Sequence, residues 1–200
     1  MKTYRKLPLI FYKRNCITIA KELLEKILVR KIKGKFLAGI IVETEAYLGE
    51  KDEASHSYRG KTKRNEVMFG EGGFAYVYFT YGNHHCVNVV IGKKDTAHAV
   101  LIRALQPLEG IEKMKTNRKQ DEINNLTNGP GKLTQALRID LKLNGVSLIS
   151  DELFIAKNSN QLKIKIEKSK RIGITKNADK LWRFFIKDNP FVSHHKKKIK

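Results

Sequence analysis

TIAKELLEKILVRKIKGKFLAGIIVETE, residues 18–45, carries two periodicities back to back. Ile19, Ala20, Leu23, Leu24, Ile27 and Leu28 recur at helical spacing, with Thr18 placed to cap the helix start. Gly34 then turns the chain into residues 35–45, a run rich in the β-branched residues that favour strands. In an extended strand Ile41, Glu43 and Glu45 share one face, while Val42 and Thr44 share the other. A helix running into strands within so short a span predicts a mixed α/β domain.

The pattern continues outward. Residues 60–73 read as a loop with glycines at 60, 70, 72 and 73. Residues 74–81, 85–91 and 97–105 read as strands, and residues 110–118 as a short helix. Asn128-Gly129-Pro130-Gly131 is a turn feeding a helix over residues 132–137, and residues 162–166 alternate as a half-buried strand. No internal repeat and no flexible linker interrupts the chain. One compact domain over residues 1–193 is expected, followed by a loose basic tail, HHKKKIK, at residues 194–200.

Composition narrows the function. At 200 residues, 41% hydrophobic and 30% charged, the chain is neither disordered nor a membrane bundle. Two cysteines, Cys16 and Cys86, make neither a disulfide framework nor a four-cysteine zinc site. The amino-terminal apolar run, residues 7–12, is too short for a targeting signal, so a cytoplasmic protein is expected. A net charge of +20 points to a polyanion. Nucleic acid is the expected partner, ahead of an anionic membrane or a merely solubilising charge. Against that background Glu43, Glu45, Glu50, Asp52 and Glu53 face only Lys51 and Arg59 within residues 41–60. Acidic groups in a polyanion binder weaken binding, which suggests that at least one of them does chemistry.

Glu45, followed by Tyr47 and His56, offers a general base beside two flat rings; the same run also reads as a solvated acidic loop. Glu43, Glu45, Asp52, His56, His84, His85 and Cys86 are potential metal ligands, although neither HExxH nor CxxC spacing occurs. In FAYVYFTYGNHHCVNVV, residues 74–90, Phe74, Tyr76, Tyr78 and Thr80 share a strand face. Tyr81 precedes Gly82 at the turn, where an exposed ring could wedge between bases; aromatic stripes also serve as core. GPGK, residues 129–132, could seat a phosphate at a helix start or be a plain turn. No Walker loop, nucleophile elbow or dinucleotide fingerprint occurs.

The ordered runs IVETEAYLGEKDEASHS, TKRNEVMFGEGGFAYVYFTYGNHHCVNVV, AVLIRALQPLEG, NGPGKLTQAL, RIGI and WRFFIKDNPFVS together resemble the alkyladenine (3-methyladenine) DNA glycosylase family. The likeness covers residues 19–193 and is loosest over residues 140–168. It implies an α+β domain with a curved, largely antiparallel sheet flanked by helices. It also implies a monomeric, monofunctional enzyme that flips damaged purines out of double-stranded DNA and hydrolyses the N-glycosidic bond. By resemblance Glu45 is the base that activates water and Arg103 orients it, with a backbone carbonyl near Ile174 as a further water ligand. Tyr47, His56 and Tyr78 hold the flipped base, Asn88 crowds the 2-amino group of guanine, and Tyr81 fills the vacated gap. Lys63, Arg64 and Lys132, within the matched motifs, are candidate contacts to the DNA backbone. No metal, redox cofactor or Schiff-base lysine is implied. Two departures, Asn83 beside the wedge and His85, bear on substrate range. A non-catalytic DNA binder on the same fold, and a metal hydrolase built on His84, His85 and Cys86, are the competing readings.

Overall fold

Asn15, rather than Thr18, opens the first helix. In the computed structural model, which describes residues 4–80, 82–160 and 163–193, the Asn15 side chain accepts from the Thr18 backbone N–H at 3.1 Å. Helix α1 then runs Cys16–Glu22. Thr18 thus supplies the N–H that the cap satisfies, three residues on, as helix starts require. Glu25 takes a left-handed φ of 67° and ends the helical path. Ile27 and Leu28, which continue the helical spacing in sequence, belong instead to strand β1, Ile27–Ile32. Lys33 and Gly34 both have positive φ, 48° and 77°. This is the geometry of a two-residue hairpin turn matched to strand twist, and it delivers β2, Lys35–Leu48.

Strands β3 (Ala75–Thr80), β4 (His84–Ile91), β5 (His98–Glu109), β6 (Leu153–Ala156), β7 (Ile166–Ser169) and β8 (Arg183–Ile186) complete a curled sheet. Its order is β3-β4-β5-β2-β1-β6, with β8 pairing both β2 and β7, and the pairs are antiparallel. Helices α2 (Ile111–Arg118) and α3 (Pro130–Leu137) join α1 against it. The mixed α+β domain with a curled antiparallel sheet is therefore present. Strand β7 starts where the expected strand ends, and residues 163–165 are not strand; Leu162 lies outside the described residues. The partner sets the limit, because β8 pairs Ile186 with Ile166 and runs from there to Ser169. The expected tail, residues 194–200, also lies outside the described residues. Among the described residues no helix is long and apolar enough to cross a membrane.

The core gathers Ile19, Leu23, Leu28, Ile41, Ile102, Leu105, Leu133 and Leu137, each almost fully buried. Each such side chain contributes roughly 1.5–3 kcal/mol relative to exposure. Strand β2 departs from simple alternation. Between Ile41↔Leu105 and Thr44↔Ile102 the register slips twice, leaving Val42 on β2 and Arg103 on β5 without a partner across the ladder. These bulges put Ile41 into the core, while Glu43 and Glu45 both reach Arg103. The two carboxylates share a face as expected, but Ile41 does not join them. Bulges of this kind re-aim side chains beside functional sites. Thr44 Oγ1 donates to Ala20 O at 2.7 Å and pins this part of β2 to α1.

Candidate active site

The re-aimed stretch of β2 builds a buried charge network. Glu45 is fully buried. Its Oε1 accepts the Ile172 backbone N–H at 2.7 Å, and its Oε2 accepts the Tyr47 hydroxyl at 2.9 Å and Arg103 Nη1 at 3.4 Å. Arg103 Nε donates to Glu43 Oε1 at 3.1 Å. Glu43, equally buried, also takes Arg183 Nε at 2.6 Å, and the Ser193 Oγ and backbone N–H at 2.8 Å each. Two carboxylates and two guanidinium groups thus balance one another, which is what makes burial of four charges tolerable. Burial works against the charge on Arg103, but Glu45 and Glu43 outweigh it and hold Arg103 above its ordinary pKa. Burial and the neighbouring Glu45 push the Tyr47 hydroxyl well up, so it remains a donor.

In front of this network lies a cavity of about 190 Å³. This is smaller than the roughly 300–1,000 Å³ of drug-sized sites. Tyr47, His56, Tyr78, Asn88, Arg103 and Ile174 all line it, so the structure brings together the expected pocket residues. The three groups that hold Glu45, namely Tyr47, Arg103 and Ile172, form part of the lining, and Glu45 sits behind them. His56 Nδ1 lies 2.9 Å from the Tyr76 hydroxyl, and its ring meets Tyr78 at 4.5 Å between centroids, tilted 68°. Desolvation of the His56 ring, with Arg64 nearby, lowers its pKa below the usual imidazole value. Asn88 Nδ2 donates to Tyr76 O at 3.1 Å, which fixes the amide in the cavity wall. Cys86 also lines the cavity, and burial pushes its thiol up.

A second buried pair stands beside the first. Arg171 grips Asp52 through Nη1–Oδ2 at 2.5 Å and Nη2–Oδ1 at 2.8 Å, both side chains being fully buried. Its guanidinium also donates to Ala46 O at 2.9 Å and stacks between Tyr47 and Trp182, 4.6 and 5.1 Å from their centroids. Burial pushes Asp52 up, but Arg171 and the Ala54 and Leu48 N–H groups outweigh it and leave the carboxyl below its ordinary range. This pair fixes the segment whose next residue, Ile172, presents its N–H to Glu45.

The surface candidates separate. Lys63 is exposed. Arg64 Nη2 donates to Phe79 O at 3.2 Å, with its guanidinium 5.6 Å from the Tyr78 centroid, so it braces the β3 strand at the cavity rim. Lys132 Nζ donates to Asn128 Oδ1 at 2.7 Å. Tyr81 lies outside the described residues. His85 packs against Phe79 with ring centroids 5.1 Å apart and planes tilted 55°, while Cys86 faces the cavity. Among the described residues no three His, Cys, Asp or Glu side chains converge to hold a metal. Arg171, Arg183 and Ser193 have no role in the sequence reading, although they stand in RIGI and WRFFIKDNPFVS; Arg183, set between Trp182 and Phe184, carries a signal, whereas Arg171 follows Lys168, Ser169 and Lys170 and carries none.

Residues 10–190 match the model of the family described as methylpurine-DNA glycosylase (MPG). A protein of Prosthecochloris aestuarii, provisionally named 3-methyladenine DNA glycosylase, is 52% identical over 184 residues, covering 92% of this chain and 88% of the relative. A protein of Carboxydothermus hydrogenoformans with the same provisional name is 52% identical over 188 residues, covering 94% and 98%. A third, from Francisella tularensis subsp. tularensis, is 50% identical over 180 residues, covering 88% and 93%.

Proposed function

The chain belongs to the methylpurine-DNA glycosylase family, and from that premise we propose that it rotates an alkylated or deaminated purine out of duplex DNA and hydrolyses the N-glycosidic bond with a water activated by Glu45. One observation carries the reading. A buried carboxylate is held by a backbone N–H, a tyrosine and an arginine, and those same three groups wall a small aromatic cavity.

The chemistry follows from the parts. The glycosidic bond of a stacked nucleotide is out of reach, so the base has to leave the helix. Each aromatic stacking contact contributes roughly 1–3 kcal/mol, comparable with the few kcal/mol that unpairing costs. Tyr47, His56 and Tyr78 supply those faces, Asn88 crowds a 2-amino group, and Tyr81 fills the gap left in the duplex. Water takes the Oε2 position now occupied by the Tyr47 hydroxyl, with Arg103 and a backbone carbonyl near Ile174 orienting it toward the anomeric carbon. Glu45 removes its proton, and the carboxylate stabilises the positive charge developing on the sugar. An alkylated purine that is already cationic leaves readily, whereas a neutral lesion is protonated first. Among the described residues no lysine lines the cavity, and the nucleophile in this reading is water. Lys63, Arg64 and Lys132 contact the DNA backbone, and the enzyme works as a cytoplasmic monomer.

The test is single-turnover base release from duplexes carrying hypoxanthine or ethenoadenine and from methylated DNA. Glu45→Gln should lose about 10²–10⁴-fold or more. Near-wild-type release by that variant would place the base elsewhere. Tight, salt-sensitive binding by wild type without release from any substrate would favour the non-catalytic binder.

A further inference from the structure

Beyond the cavity a second depression of about 510 Å³ opens beside Asn83, His84, His85, Gln135, Arg138 and Asp140. It shares a wall with the cavity. Pro130 lines the cavity and Gly131, the next residue, lines the depression. Thr80 lines the cavity, and His84, its partner across the β3–β4 ladder, lines the depression. The partition is tight, since a Cβ added at Gly131 would lie 2.9 Å from His84 Cγ. The β3–β4 hairpin, turning at Gly82, therefore rises between two concavities.

Their chemistry differs. The cavity is aromatic, whereas the depression is lined by groups that donate hydrogen bonds. Gln135 Oε1 accepts from Arg118 Nη1 at 2.5 Å, and its NH₂ remains to donate. Arg138 is exposed and has no ion-pair partner among the described residues. The His84 and His85 rings offer further N–H groups. The acid on the rim, Asp140, is occupied at Oδ1 by the Lys142 backbone N–H at 2.9 Å.

On the glycosylase reading Tyr81, at the turn of this hairpin, fills the gap left in the duplex, and ring wedges of that kind enter through the minor groove, whose two backbones lie only about 6 Å apart. A wedge entering there has one strand on each side. With the flipped nucleotide in the cavity, the other side of the hairpin faces the undamaged strand. We propose that the depression beside Arg138 seats the sugar-phosphate backbone of the strand opposite the lesion, with Arg138 and Gln135 donating to its phosphate oxygens. This rests on the glycosylase reading above, and it makes the enzyme prefer duplex DNA through contacts that never touch the damaged base.

Arg138→Gly is the variant of choice. Arg138 ends α3 with a left-handed φ of 53°, a conformation glycine adopts without strain, so the guanidinium is removed without endangering the fold. Gln135→Ala serves as the second variant. Binding and single-turnover release are measured on one hypoxanthine-containing strand, alone and annealed to its complement. For Arg138→Gly, duplex affinity should fall about five- to tenfold with a salt slope shallower by about one, and single-strand affinity should move less than about twofold. Equal weakening on both substrates would place Arg138 on the damaged strand and overturn the proposal. Unchanged binding to both would show that the depression holds no DNA. A duplex-specific loss in Arg138→Gly together with no base release by wild type would refute the glycosylase reading and leave the contact to the opposite strand standing.

Discussion

His56 shows how burial, helped by one neighbouring cation, sets the state of a pocket group. Desolvation and the Arg64 cation both disfavour imidazolium, so the ring is neutral at pH 7 and titrates only below the usual imidazole value of about 6.5. If release needs the neutral ring against the flipped base, activity falls as pH drops through that depressed value. Arg64→Gln removes one of the two causes and raises the His56 pKa toward normal, so the acid limb of release moves to higher pH. Single-turnover pH profiles at saturating enzyme check this while setting aside any loss of DNA contact. A profile that does not move would mean that the charge on His56 is irrelevant to release.

Strand β2 carries both buried carboxylates that contact Arg103, and it shows where sequence reading succeeded and where it stopped. Glu43 and Glu45 were legible as strand residues sharing a face because alternation is local. The double register slip at Val42 and Arg103 was not, since a bulge depends on the partner strand. Glu43 could equally be read as a metal ligand. Its partners besides Arg103, namely Arg183 and Ser193, lie 140 and 150 residues away, and no periodicity joins positions so distant. The pocket rings were placed through family resemblance, whereas the Asp52–Arg171 latch behind them went unassigned because a buried pair looks like two surface charges in a sequence. Asp52→Asn leaves the Arg171 charge buried without its counterion and should cost about 3–5 kcal/mol. The sign with pH follows from the depressed folded pKa of Asp52. Its contribution is present above the unfolded value of about 3.9 and is lost as pH falls through the folded value, where the unfolded chain binds the extra proton. Thermal melts at pH 7 and in steps below pH 4 should show wild type losing stability in acid more steeply than Asp52→Asn. Parallel curves would mean that the pair is already neutralised by its surroundings.

At the scale of the whole molecule, the +20 charge governs how the site finds its substrate. If roughly four to six phosphates are neutralised, the logarithm of the binding constant should fall against log salt with a slope near −4 to −5. Titrations of a fluorescent duplex between low and physiological salt measure it, and a flat response would remove DNA from the surface altogether. The buried network has a different whole-chain consequence. Strand β8 lies beside β2 at residues 43–45, and Glu43 is completed by Arg183 and Ser193. A protein made from its amino terminus forward therefore presents Glu43 early and receives Arg183 and Ser193 last. A chain released before residue 183 carries Glu43 without Arg183 and Ser193, and it has to bury that carboxylate short of two of its partners or leave β2 unpacked.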